Sequence, residues 1–194
     1  MQLSTILLIC VFLLCCTGAV SRVAKRLNIP VGGIAAICLL TLALSAFSFP
    51  VVTGFQVFPA SLLPVLFCVL VCGFHAETLQ AVLLALVGGA LAWVIQILLA
   101  SFYEIGVLMA LPAVLLATFC IGHKPQALLC VLLAPLFYSG MAVIENWYLF
   151  DVFQFSFGSN LQLTMQISGA FLLGIAVCLP QRRRINHMKL QKDA

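Results

Sequence analysis

The sequence predicts an all-α integral membrane bundle of seven transmembrane helices, and three observations predict it. The 194-residue chain is 64% apolar and only 7% charged, against about 45 to 50% and roughly 25% in a soluble domain. Its apolar residues gather into seven continuous stretches, each within the roughly 17 to 25 residues that a helix needs to cross about 30 Å of hydrocarbon. Its nine Lys and Arg residues are confined to the breaks between stretches and to the C-terminal end. So few charges cannot dress a water-facing surface, which excludes a soluble, a disordered or a nucleic-acid-binding chain.

The stretches are taken in order. Residues 3–20 form the first; no basic residue precedes them, so they read as a retained helix and not a cleaved signal peptide. Cys10 and Cys15 follow Ile9 and Leu14, not the small residues of a lipoprotein signal. A basic loop with Arg22, Lys25 and Arg26 ends at Asn28 and Pro30, and the second span covers 31–52. Thr53-Gly54 breaks it from the third, 58–74, which contains Pro64. The fourth, 79–102, carries small residues four apart (Ala85 and Gly89, Gly88 and Ala92). The fifth, 105–121, contains Pro112, and Gly122 to Pro125 ends it. The sixth, 127–144, contains Pro135, and the seventh is 161–180. Residues 1–180 thus form one transmembrane domain, and 181–194 a basic tail. Helices are preferred to a barrel because every stretch is continuously apolar rather than alternating. The internal prolines predict kinks whose freed carbonyls neighbouring helices must cover.

With seven spans, all basic residues share one side, and the positive-inside rule makes that side cytoplasmic. The N-terminus is then outside and the C-terminus inside. Glu104, Glu145 and Asp151 fall on the outer rim, beside a loop at 152–158 whose Phe153, Phe155 and Phe157 alternate with other residues and predict an extended segment. If the three acids converge, they offer a divalent cation or a basic partner segment a site; dispersed, they are solvated. On the opposite rim His75, Glu77, His123 and Lys124 lie at boundary depth without the HExxH spacing of a zinc peptidase.

No Asp, Glu, Lys, Arg or His lies in the centre of any span, which argues against an ion pump or a proton-coupled carrier. The polar groups at depth are Trp93 and Gln96, Tyr138 and Ser139, and Thr164, Gln166 and Ser168. Two readings stay open: bonds between helices, at roughly 0.6 to 2 kcal/mol each, or a solute path lined by Gln96, Tyr138, Thr164 and Gln166. The small residues four apart, including Gly32 and Ala36 and Ala170 and Gly174, mark faces for close helix packing. The nine cysteines act as small apolar residues, with no metal-ligand pattern among them. There is no GxSxG, phosphate-loop or dinucleotide motif, so no catalytic residue, no metal and no cofactor is expected.

Arg26-Leu27-Asn28-Ile29-Pro30-Val31 resembles the entry to the second helix of the small multipass YphA-like proteins of spore-forming Firmicutes. Thr78-Leu79, Phe102-Tyr103-Glu104, His123-Lys124 and the region 145–158 are similar in order and kind. The resemblance implies a bacterial plasma membrane and a link to sporulation, and no activity. The sequence as a whole predicts a non-enzymatic multi-pass membrane protein that acts through a membrane or envelope partner or as a homo-oligomer. The alternative is a small transporter of a neutral or polar solute.

Overall fold

The computed structural model describes residues 3–45, 47, 49–52, 55–73, 76–98, 106–122, 124–150, 155–157 and 159–178. Among them, eight α-helices form a bundle: α1 (Leu3–Cys16), α2 (Ser21–Arg26), α3 (Val31–Leu44), α4 (Pro59–Cys72), α5 (Ala76–Leu98), α6 (Gly106–Leu116), α7 (Pro125–Phe150) and α8 (Asn160–Cys178). A π-helical turn, Ala117–Ile121, continues α6. Three short strands make a small sheet in the order β1 (Phe49–Val52), β2 (Phe55–Val57) and β3 (Phe155–Phe157). β1 and β2 pair antiparallel, and β3 joins β2 in parallel with Phe55 opposite Phe155. Of the extended segment expected at 152–158, the described residues 155–157 form this third strand.

The structure corrects the seven-span count. Among the described residues only three helices are long and apolar enough to cross a membrane: Ala76–Leu98, Pro125–Glu145 and Leu161–Cys178. The other apolar stretches divide. The first ends at Cys16, where the chain turns through Gly18 in a left-handed conformation. The second stops as a helix at Leu44, and its last residues become β1. α1, α3 and α4 have 14 residues each, a length of about 21 Å at the helical rise, short of the hydrocarbon thickness. The fifth stretch yields a 14-residue apolar helix, Leu108–Ile121. The inside-outside assignment rested on the parity of seven crossings and goes with them.

α7 and α8 form the axis of the bundle. Leu129 and Cys130 of α7 and Leu163, Met165 and Leu173 of α8 are fully buried. These two helices run antiparallel, since Gly169 faces Val131 and Gln166 reaches Leu132. α5 lies at the edge, with 28% of its apolar window buried against 56% for α8. Its outward residues Leu79, Leu83, Leu86, Leu91 and Leu98 are exposed, an apolar stripe too long for a water-facing surface and suited to lipid. The protein is thus a helical membrane protein with a few membrane-spanning segments.

Two glycines set the spacing of the long helices. A Cβ at Gly89 would lie 2.6 Å from the Ala134 carbonyl oxygen and 2.8 Å from the Tyr138 nitrogen, so α5 and α7 touch backbone to backbone. One residue earlier, a Cβ at Gly88 would meet the Ala113 Cα of α6 at 3.1 Å. The overlapping small-residue pairs of α5 therefore serve two different neighbours.

Candidate functional site

Polar side chains tie the long helices together both at depth and at one rim of the bundle. At the α5–α7 seam the Tyr138 hydroxyl donates to Gln96 Oε1, and the Trp93 indole N–H donates to Glu145 Oε2 over 2.8 Å. The close approach at Gly89 is what brings these side chains within reach. Tyr138 is buried, while Trp93 and Glu145 are half-buried. Because the Trp93 bond ends on a carboxylate in a partly dry setting, it is the stronger kind of link. A double-mutant cycle of Trp93→Phe with Glu145→Leu, followed by unfolding in mixed micelles, is expected to return a coupling of about 0.6 to 2 kcal/mol. Additive single effects would remove this link from the account.

The second link centres on Gln166, whose side chain is fully buried. Its Nε2 donates to the Ser61 carbonyl of α4 at 3.1 Å and to the Leu132 carbonyl of α7 at 2.9 Å. Each acceptor stands three residues before an internal proline, Pro64 in α4 and Pro135 in α7. A proline supplies no N–H to the carbonyl four residues before it, Ala60 or Val131 here, and its ring crowds that turn; Ser61 and Leu132 carry the next carbonyls along, within the disturbed turns. One amide on α8 therefore fastens two interrupted turns on two other helices. Ser139 Oγ adds a bond at 3.0 Å to the Pro135 carbonyl.

The third link is at the far end of the bundle, where Lys124 Nζ pairs with Glu77 Oε1 and joins the starts of α7 and α5. Both side chains are about half exposed, and such a pair is worth at most about 1 kcal/mol.

Of the four solute-lining candidates, the structure brings Gln96 and Tyr138 together. It sets Gln166 apart: its partner Leu132 lies six residues before Tyr138, about 9 Å along α7. Thr164 is buried on α8, and its carbonyl accepts from Ser168 Oγ at 2.7 Å. Of the outer acids, Glu145 is engaged by Trp93, whereas Glu104 and Asp151 lie outside the described residues. His75, His123, Phe153 and the tail 181–194 lie outside them too. Among the described residues, no group of three or more His, Cys, Asp or Glu is placed to hold a metal ion.

No protein-family model matches the chain, no curated protein matches it, and no solved structure matches it.

Two features escaped the sequence. Gly169 of α8 packs so closely on Val131 that a Cβ there would approach its Cγ1 to 2.6 Å; no small residue stands four positions away to signal it. Thr41 of α3 is fully buried, with no hydrogen-bond partner for its Oγ1. It borders a cavity of about 100 Å³ among α1, α3, α4, α7 and α8, which Gln166 also borders. Gln166 Oε1, unlike its Nε2, has no partner either.

Proposed function

We propose that this chain is a non-enzymatic, multi-pass protein of a bacterial plasma membrane that acts through a membrane or envelope partner. One observation carries the reading: Trp93, Gln96, Tyr138, Gln166 and Glu145 are joined to each other or to backbone carbonyls across helix seams. Side chains used in this way hold a bundle together and leave its outer faces to do the recognising. The YphA-like order of elements supports the bacterial setting and a link to sporulation.

A second reading, a carrier of small neutral or polar solutes, would place its path at the cavity that Thr41 and Gln166 border, although the surface lining that cavity is apolar. The two readings differ in what the purified chain does alone. Proteoliposomes are made with the chain and shrunk by glycerol, urea or erythritol, and reswelling is followed by light scattering. The partner reading expects rates equal to those of empty liposomes. Faster reswelling that Gln166→Leu abolishes would overturn it in favour of the carrier.

A further inference from the structure

The short helix α2 presents two unlike surfaces. Val23, Ala24 and, just past its end, Leu27 line an apolar groove of about 280 Å³ between α1, α2, α3 and α8. Arg22, Lys25 and Arg26 rim an adjoining depression, and Cys178 at the end of α8 borders both.

Local bonding fixes this arrangement. Asn28 adopts a left-handed φ of 55°, and the Ile29 N–H reaches the Ala24 carbonyl at 2.9 Å while the Asn28 N–H reaches Lys25 at 3.3 Å. That is the paired bonding by which a left-handed residue closes a helix, with an apolar residue, here the buried Ile29, tucked in after it. The Arg26 guanidinium donates to the Val177 carbonyl, in the last turn of α8, where the negative end of the helix dipole favours a cation. The basic residues are thereby held at the mouth of the groove. Among the described residues no carboxylate pairs with any of the three, and the Glu77 pair belongs to Lys124.

Three cations with no carboxylate partner among the described residues, beside an apolar groove at the end of a membrane bundle, complement an anion carried on an aliphatic chain. We propose that this is a binding site for an anionic glycerophospholipid, with one acyl chain in the groove and the phosphate against Arg22, Lys25 and Arg26. The size fits: an apolar cavity of about 150 Å³ holds a benzene ring, so the groove takes a run of several methylenes. A zwitterionic lipid would bring its own cation to the same three residues, and the site therefore selects net negative charge.

The test uses the full chain in phosphatidylcholine nanodiscs with phosphatidylglycerol added, reading the retained lipid by native mass spectrometry. Phosphatidylglycerol is expected to be retained in preference to phosphatidylcholine. The exposed double variant Arg22→Gln/Lys25→Gln should reduce that preference about 25-fold, each cation near an anionic lipid being worth about fivefold. Lys124→Gln, a cation that lines neither the groove nor the basic depression, should leave it unchanged. Gly174→Leu places a side chain in the groove beside Val23, and it should weaken phosphatidylglycerol binding with all three cations intact. Soluble glycerol phosphate should not displace the lipid. Equal retention of the two lipids, an equal loss from Lys124→Gln, or displacement by glycerol phosphate would each overturn the assignment.

Discussion

Gly89→Val is expected to destabilise the protein by about 3 to 5 kcal/mol and to separate α5 from α7. Even the first added carbon would stand 2.6 Å from the Ala134 carbonyl oxygen and 2.8 Å from both the Tyr138 nitrogen and the Phe137 Cβ. Two of these atoms are backbone, so no rotamer change relieves the clash and one helix must move. Overpacking of this kind costs about 1 to 3 kcal/mol by itself. The displaced seam also loses the Tyr138 to Gln96 and Trp93 to Glu145 bonds, each worth about 0.6 to 2 kcal/mol. Gly140→Ala in the same helix α7 is the matching control. Its new carbon would meet nothing within 4 Å, and alanine is favoured over glycine in a helix interior by about 1 kcal/mol. Titration with a denaturing detergent should lower the midpoint for Gly89→Val and hold or raise it for Gly140→Ala. Equal midpoints would mean that the α5–α7 approach does not set stability.

Gln166→Leu is expected to cost about 2 to 3 kcal/mol. The substitution keeps an apolar side chain of similar size in the core and removes both Nε2 bonds, to Ser61 and to Leu132. Those carbonyls stand in the turns that Pro64 and Pro135 disturb, and each buried hydrogen bond lost is worth about 1 to 1.5 kcal/mol. Part of this is offset, because the partnerless Oε1 of Gln166 disappears as well. Thr41→Val provides the contrast: it removes a buried hydroxyl that has no partner, and it should be neutral or mildly stabilising. The same titration reads both. A neutral Gln166→Leu would show that the two proline turns need no fastening from α8.

Much of this was legible in the sequence, and what was not has identifiable causes. The stretches 79–102, 127–144 and 161–180 correspond to the three helices that, among the described residues, are long enough to cross, because each is one helix over all of its described part. The runs 3–20, 31–52, 58–74 and 105–121 were equally apolar but form shorter helices. Hydropathy counts residues whatever their conformation, so it cannot see that Phe49–Val52 pairs as a strand or that Gly18 turns the chain. The polar residues that matter at depth, Trp93, Gln96, Tyr138 and Gln166, were all visible. The partners of Gln166 were not, because a backbone carbonyl such as that of Ser61 leaves no mark in the sequence. The prolines gave a partial signal, since an interrupted turn calls for a donor, but not which helix supplies it.

The central claim, that the chain acts through a partner, is tested most directly by capture. Crosslinking in native membranes, purification of the full chain through a C-terminal tag and mass spectrometry of what is retained would identify any companion. A single membrane or envelope protein, reproducibly recovered near one-to-one with the chain, is the expected result. Recovery of the chain alone, with the same crosslinker capturing known complexes from the same membranes, would contradict it.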